Sequence, residues 1–348
     1  MSEQLDYIIV GQGIAGSMVA HFLLQKGKKI LVIDQYNPTS SSNIAAGVVN
    51  PVTGRKMVKT WMIDDLLPFA KKTYSALEKQ LQVSFFYEND IYKIFSSAED
   101  IENWNLKKTD TEYHDYLGDI VAASEINPHI KAPFGAGIIK QCCWMDVPVF
   151  TKAYRAFLLQ HQQLIEEAFE FSELSITDEI QYKGYSAQNI IFCEGFKAYK
   201  NPLFRWIPFA LAKGEQLLIQ ADELNLDKML NRNIIIIPKG DNKYSVGSTF
   251  IWDDVEETVT EGGRTEILNK LNKVIDESYQ IVEEKAAIRP AMPDRRPVIG
   301  KHPKYKHVFI FNGMGTKGVS LSPYFANYFS DYLEQNFDIF KEISVNRF

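Results

Sequence analysis

Cysteine is scarce in this chain: there are three, Cys142, Cys143 and Cys193. Their spacing forms neither a metal-binding pattern nor an even disulfide framework. A reduced, cytoplasmic setting is the simplest expectation. The neighbours Cys142 and Cys143 read as ordinary small apolar residues, not as a redox pair. No run of about 18 apolar residues occurs, so no transmembrane helix is expected. The opening residues are polar and acidic, and the apolar run Tyr7–Val10 is too short for the core of a secretory leader. Basic residues do not dominate either: 38 Lys and Arg stand against 44 Asp and Glu, a net charge of −6. That balance argues against a general nucleic-acid or anionic-membrane surface, though not against a local basic patch. The six histidines stand singly. Internal repeats, low-complexity tracts and long linkers are missing. What remains, 45% hydrophobic and 24% charged, is a globular composition with length enough for a large core in two lobes.

Among what is present, the first 34 residues are the most informative. Asp6–Val10 reads as a short buried strand. Gly11-Gln12-Gly13-Ile14-Ala15-Gly16 follows without a gap, and Ser17–Lys26 then has helical apolar spacing (Met18, Val19, Phe22, Leu23). Gly27 is placed to end that helix. Lys29–Asp34 is a second strand with Asp34 at its tip. A lone GxGxxG is weak evidence. Here it has the strand before, the helix after and the acidic residue beyond that a dinucleotide site requires. Gly11 makes the tight turn, Gly13 admits the pyrophosphate, and Gly16 lets helix and strand pack closely. The pyrophosphate would lie on the helix N-terminus, where the N–H groups of Ile14 and Ala15 and the helix dipole favour an anion. Asp34, with Gln35 beside it, suits ribose hydroxyls and would repel a 2′-phosphate.

Further along, Thr39–Asn43 reads as a loop. Helices are expected over 64–81, 148–168, 261–279 and 321–335. Strands are expected over 85–95, 135–139, 190–193, 217–220, 234–238, 244–250 and 308–311, the last feeding a glycine-rich turn at Gly313–Gly318. βα units at both ends with β-rich segments between them predict an α/β plus α+β chain. Its nucleotide domain would be Rossmann-type and discontinuous (1–80, 142–203 and 286–348). The inserted substrate domain (81–141 and 204–285) would be built on a mixed or antiparallel sheet.

Residues 1–50 and 189–348 resemble the D-amino-acid oxidase and glycine oxidase superfamily (the DAO family) of FAD enzymes. The matching segments are GQGIAGSMVAHFLLQKGKKILVID, SSNIAAGVVNP, IIFCEG, KGEQL, IRPAMPDRRPVIG and FNGMGTKGVSLSP. The turn GMGTKG also looks like the FAD half of the bifunctional enzyme that modifies tRNA wobble uridine. The resemblance implies FAD stretched across the nucleotide domain, with its ring at the boundary with the β-rich lobe. Ser42, Asn43, Ala45, Ala46 and Gly47 would pass beside the ring, and Gly195 would lie under the adenine half. The turn Gly313, Gly315, Thr316, Lys317, Gly318, Val319 would close over the pyrimidine edge. The helix starting there, and Lys317, would favour negative charge at that edge on reduction. The family's covalent flavin branch has a cysteine where this chain has Ala287, so FAD is expected to be non-covalent.

Arg289 matches the arginine with which the superfamily holds a substrate carboxylate, and a planar guanidinium suits that task. The implied reaction is oxidation of an amine C–N bond, the α-hydrogen leaving as hydride to flavin N5 and the imine then hydrolysing. The implied partners are a small amine or amino acid and an electron acceptor, O2 or another. Departures narrow this. Glycine oxidase's second arginine matches Thr316 and its active-site tyrosine matches Ile235. The lysine that activates oxygen in sarcosine oxidases matches Ser245. Phe250, Trp252, Trp206 and Met292 are candidates to line a pocket for a larger substrate, an N-substituted glycine or a bulky D-amino acid. Arg295 and Arg296 read as solvated turn residues. Alternatives are oxidation of an N-linked glycine group on wobble uridine, or flavin binding without turnover.

Overall fold

The computed structural model describes residues 4–252 and 254–348. Strand Leu5–Val10 leads through the glycine turn into helix Ile14–Gln25 and on to strand Ile30–Ile33, which pairs parallel with the first. The helix ends at Lys26, and Gly27 follows at φ +71°. From Ile14 to Leu23 the helix is buried almost all round. It lies between the sheet and other helices, chiefly the C-terminal helix Gly318–Gln335, so an apolar surface on every side is what its position demands.

The sheet is eight-stranded, with Leu164–Ile165, Ile30–Ile33, Leu5–Val10, Tyr185–Phe192 and Val308–Asn312 running parallel across its centre. Continuous apolar runs such as Ile8–Ile9–Val10 and Ile190–Ile191–Phe192 are fully buried, as strands covered on both faces must be. A second eight-stranded sheet orders Gln280–Arg289, Ala212–Gln220, Lys243–Gly247, Ile235–Gly240, Met229–Asn231, Ile91–Ile94, Ala136–Ile139 and Leu117–Val121. It is antiparallel except where Met229–Asn231 meets Ile91–Ile94. One face packs Leu217, Ile219, Ile236, Tyr244 and Val246 into its own core. The other face turns toward the nucleotide sheet, because side chains alternate along each strand.

Several sequence expectations need correction. The helix expected over 148–168 spans Val147–Gln160. Gln162 adopts φ +57°, and Leu164–Ile165 then joins the parallel sheet beside Ile30–Ile33. Residues 85–95 form two strands, Phe86–Glu88 and Ile91–Ile94, that belong to different sheets. The helix from Glu261 stops at Leu271. The strand expected over 244–250 ends at Gly247. The loop at 39–43 contains a short helix, Ser41–Ile44, capped by the Ser40 hydroxyl. The ten-residue strand Gln280–Arg289 went unforeseen. Among the described residues it is an edge strand, pairing with Ala212–Gln220 alone, and its charged exposed half hides the period-2 pattern. The boundary drawn at 285/286 falls inside this strand, so the domain division stays a proposal. Among the described residues no helix is long and apolar enough to cross a membrane.

Candidate functional site

One cavity of about 760 Å³ runs from the ends of the parallel strands to the inner face of the second sheet, within the range of small-molecule and cofactor sites. At one end stand Asp34, Gln35, Glu166 and Glu194–Lys197. Gly11–Ala15 and Ser40–Asn43 form the middle. Ala45–Val48, Gly214, Gln216, Ile235, Ala287, Arg289, Gly315 and Thr316 form the far end.

The glycine turn has the geometry of an anion cradle. Gly11 has φ +100°, and a Cβ there would lie 2.5 Å from the Cys193 carbonyl oxygen. A Cβ on Gly13 would come within 2.8 Å of Ser42 Oγ. Gly13 caps the helix without a side-chain hydrogen bond, but the Ile14 N–H donates to Ser42 Oγ at 3.0 Å, so the N–H groups of Ala15 and Gly16 are the first-turn donors left for an anion. Gly16 is not on the cavity wall. A Cβ there would lie 1.9 Å from the Gly11 carbonyl oxygen, so it sets the contact between helix and turn. At the far end, Gly47 has φ +72°, and its Cβ would meet the Met145 carbonyl oxygen at 2.0 Å.

Asp34 is more occupied than the sequence implied. Its Oδ1 accepts from the Gln12 N–H at 2.9 Å, and its Oδ2 pairs with Arg155 Nη1 at 2.7 Å. Arg155 also donates to Gln12 Oε1 and to the Asp34 carbonyl, and its Nε pairs with Glu166 at 2.8 Å. This arginine was missed. Its signal was a lone charge on the buried stripe Phe150, Thr151, Tyr154, Leu158. Of the other foreseen residues, Ile14, Ala15, Gln35, Ser42, Asn43, Ala45, Ala46, Gly195, Gly318 and Val319 all line the cavity.

Besides Gly16, two foreseen residues lie off the cavity wall. Gly313, at φ +77°, backs onto Met292 and Val298. Lys317 is half-buried and donates to Thr60 Oγ1 at 3.2 Å. Burial, with Arg296 and Arg295 nearby, brings its ammonium down to about 8. Arg295 is exposed, but Arg296 is half-buried with its guanidinium 4.2 Å from the Trp61 ring centre. It is therefore stacked and not simply solvated.

Arg289 ends the edge strand with its guanidinium in the cavity. It donates to the Lys213 carbonyl at 3.1 Å, to the Thr249 carbonyl at 3.2 Å and to Ser248 Oγ. Phe250 flanks it, ring centre 4.6 Å from Cζ, with Trp252 packed beyond. Among the described residues it pairs with no carboxylate, and burial lowers it to about 10. None of the four candidate pocket residues lines the cavity: Phe250 and Trp252 are exposed, Trp206 packs by Phe204 and His302, and Met292 is core. Behind the arginine, fully buried Lys213 pairs with Asp254 at 2.6 Å and approaches Glu215 at 3.6 Å. Glu215 in turn holds Thr260. That network fixes the strand and loop whose carbonyls orient Arg289. Gly214 was another omission. A Cβ there would lie 2.0 Å from Arg289 Nη2, so the arginine rests on a gap only glycine leaves. Gly214→Ala is therefore expected to displace the guanidinium, raising KM for a carboxylate-bearing amine about tenfold or more while bound flavin absorbance stays unchanged. Steady-state kinetics beside a visible spectrum check this.

The sequence matches the DAO family, described as FAD dependent oxidoreductase, over residues 6–332. The chain belongs to this family and is an FAD-dependent oxidoreductase. Glycine oxidase of Bacillus licheniformis is 26% identical over 358 aligned positions, covering 97% of this chain and 95% of that protein. The bifunctional tRNA 5-methylaminomethyl-2-thiouridine biosynthesis protein MnmC of Marinobacter nauticus is 22% identical, over 94% of this chain and 55% of its own length. The crystal structure of glycine oxidase from Geobacillus kaustophilus superposes with a TM-score of 0.82 at 18% identity, covering 97% of this chain and 96% of that one. The Rossmann-type fold and the FAD cofactor follow from the family. The cavity fits the cofactor: its volume, the cradle at Gly11 and Gly13, and the small residues Ala45–Gly47 suit an extended dinucleotide bearing a flat ring.

Proposed function

We propose that the protein oxidises the C–N bond of an amino acid or N-substituted glycine, with Arg289 holding the substrate carboxylate. The observation that carries this reading is a half-buried guanidinium in the cavity that, among the described residues, has no carboxylate partner. Three of its N–H groups are fixed by protein oxygens, and a guanidinium has five. A substrate carboxylate satisfies what remains and offsets the cost of burying the charge. Gly11–Ala15, Asp34, Ser42–Gly47, Gly315, Thr316, Gly318 and Val319 would hold FAD non-covalently, since Ala287 on the cavity wall has no group to bond to it. Bound FAD supplies a two-electron acceptor. Arg289 aligns the amine's α-carbon, and a neutral amine needs no strong protein base. Ile235 and Ala287 put apolar groups on the wall, which suits a substituent larger than that of glycine. The tRNA-linked reading involves a related secondary amine and draws on a relative of which this chain spans 55%.

The test is an anaerobic titration of the yellow protein with D-amino acids and N-substituted glycines. One class should bleach the flavin band, and the rate of recovery in air separates an oxidase from a dehydrogenase. If dithionite reduces the flavin but no amine does, the reading fails.

A further inference from the structure

The oxidation chemistry leaves one carboxyl on the cofactor wall without a task. Glu194 comes two residues after the buried strand end Ile190–Phe192 and lines the cavity beside the glycine turn. A Cβ on Gly11 would lie 3.4 Å from its Cα. The other charged groups on this part of the wall come from several elements. Asp34 lies at the end of strand Ile30–Ile33, Lys152 and Arg155 on helix Val147–Gln160, Glu166 beyond strand Leu164–Ile165, and exposed Lys197 on Glu194's own turn. Asp34 and Glu166 are both paired to Arg155. Glu194 forms no ion pair among the described residues. Its Oε2 accepts from Asn201 Nδ2 at 2.7 Å. Asn201 is itself oriented by the Leu203 N–H, which donates to its Oδ1 at 2.9 Å. Asn312 pins the next peptide by donating to the Gly195 carbonyl at 2.9 Å. The side chain is thus held in place beside the segment where an anionic dinucleotide must enter. Burial raises its carboxyl to about 7, against the opposing pull of Asn201 and Lys197.

We propose that Glu194 contacts the cofactor with its carboxyl protonated, the O–H donating to an oxygen of the dinucleotide. This rests on the cavity being the FAD site. A second negative charge there would repel the pyrophosphate, whereas a neutral acid adds a hydrogen bond. FAD binding therefore takes up a proton. The sign follows from linkage: the ligand prefers the protonated protein. Affinity is thus highest below the free carboxyl's midpoint and falls as pH rises through it, about tenfold per pH unit.

The experiment titrates apoprotein with FAD by flavin fluorescence from pH 6 to 9 at constant ionic strength. It also measures proton uptake calorimetrically at pH 8 in two buffers of different ionisation enthalpy. Wild type should show Kd rising with pH and an uptake close to one proton. Glu194→Gln should hold Kd near the wild-type value at pH 6 across the range, with no uptake. A flat wild-type profile, no proton uptake, or an unchanged slope in Glu194→Gln overturns the proposal. Should that variant not fold, the wild-type calorimetry decides by itself. Absence of FAD binding at every pH would instead refute the site assignment.

Discussion

Replacing Arg289 with methionine is expected to lower kcat/KM for the amine that bleaches the wild-type flavin by about 10²–10⁴-fold, with FAD still bound. The size follows from losing two charge-assisted hydrogen bonds at about 1.5–3 kcal/mol each. Methionine keeps the apolar stem that packs by Phe250, so the fold is spared. Arg289→Lys keeps the charge but not the planar fork, and should recover part of the loss at most. Stopped-flow reduction separates the effects. A raised Kd for substrate with an unchanged limiting rate assigns Arg289 to binding alone. A drop in both assigns it to alignment of the reacting carbon as well. A variant as active as wild type would remove the carboxylate from the proposal.

Gly16→Ala is expected to yield a colourless and less stable protein. The added Cβ falls 1.9 Å from the Gly11 carbonyl oxygen. That atom belongs to backbone held by a bond from the Gly11 N–H to the Ile33 carbonyl at 2.9 Å, so nothing flexible can yield. The helix must move off the turn, which overpacking data put at about 1–3 kcal/mol. The same movement spoils the cradle at Gly13. The ratio of flavin to protein absorbance after purification, and the thermal midpoint of the apoprotein, measure the two losses. Gly27→Ala is the control, since nothing lies within 4 Å of its Cβ position. Its φ of +71° should cost about 1 kcal/mol and leave FAD binding intact. A yellow Gly16→Ala protein with normal stability would show that the turn relaxes in a way the packing does not suggest.

The nucleotide half was legible in the sequence because its signals are local. A strand, a glycine turn and a helix that occur in immediate succession have few ways to fold, and Gly16 is required by the Gly11 carbonyl within the same turn, although Gly11 and Gly13 answer to Cys193 and Ser42 farther along the chain. Local order also marked Asp34 at a strand tip and Arg289 before a proline. The sequence did not reveal what meets across the two sheets. Arg155 reaches Asp34 and Glu166 only because its helix crosses the end of the parallel strands. Gly214 faces Arg289 through strand register. Glu194, one residue before Gly195, becomes a half-buried carboxyl on the cavity wall once Asn201 and Asn312 close on its turn. Lys317 took the opposite course: close to the ring by sequence position, it turns toward Thr60 and away from the cavity wall. The sequence by itself determined the cofactor cradle, since glycine positions and strand–helix order are properties of neighbouring residues. Tertiary structure alone decided which charges share the cavity, since ion pairing and burial depend on contacts between residues far apart in the chain.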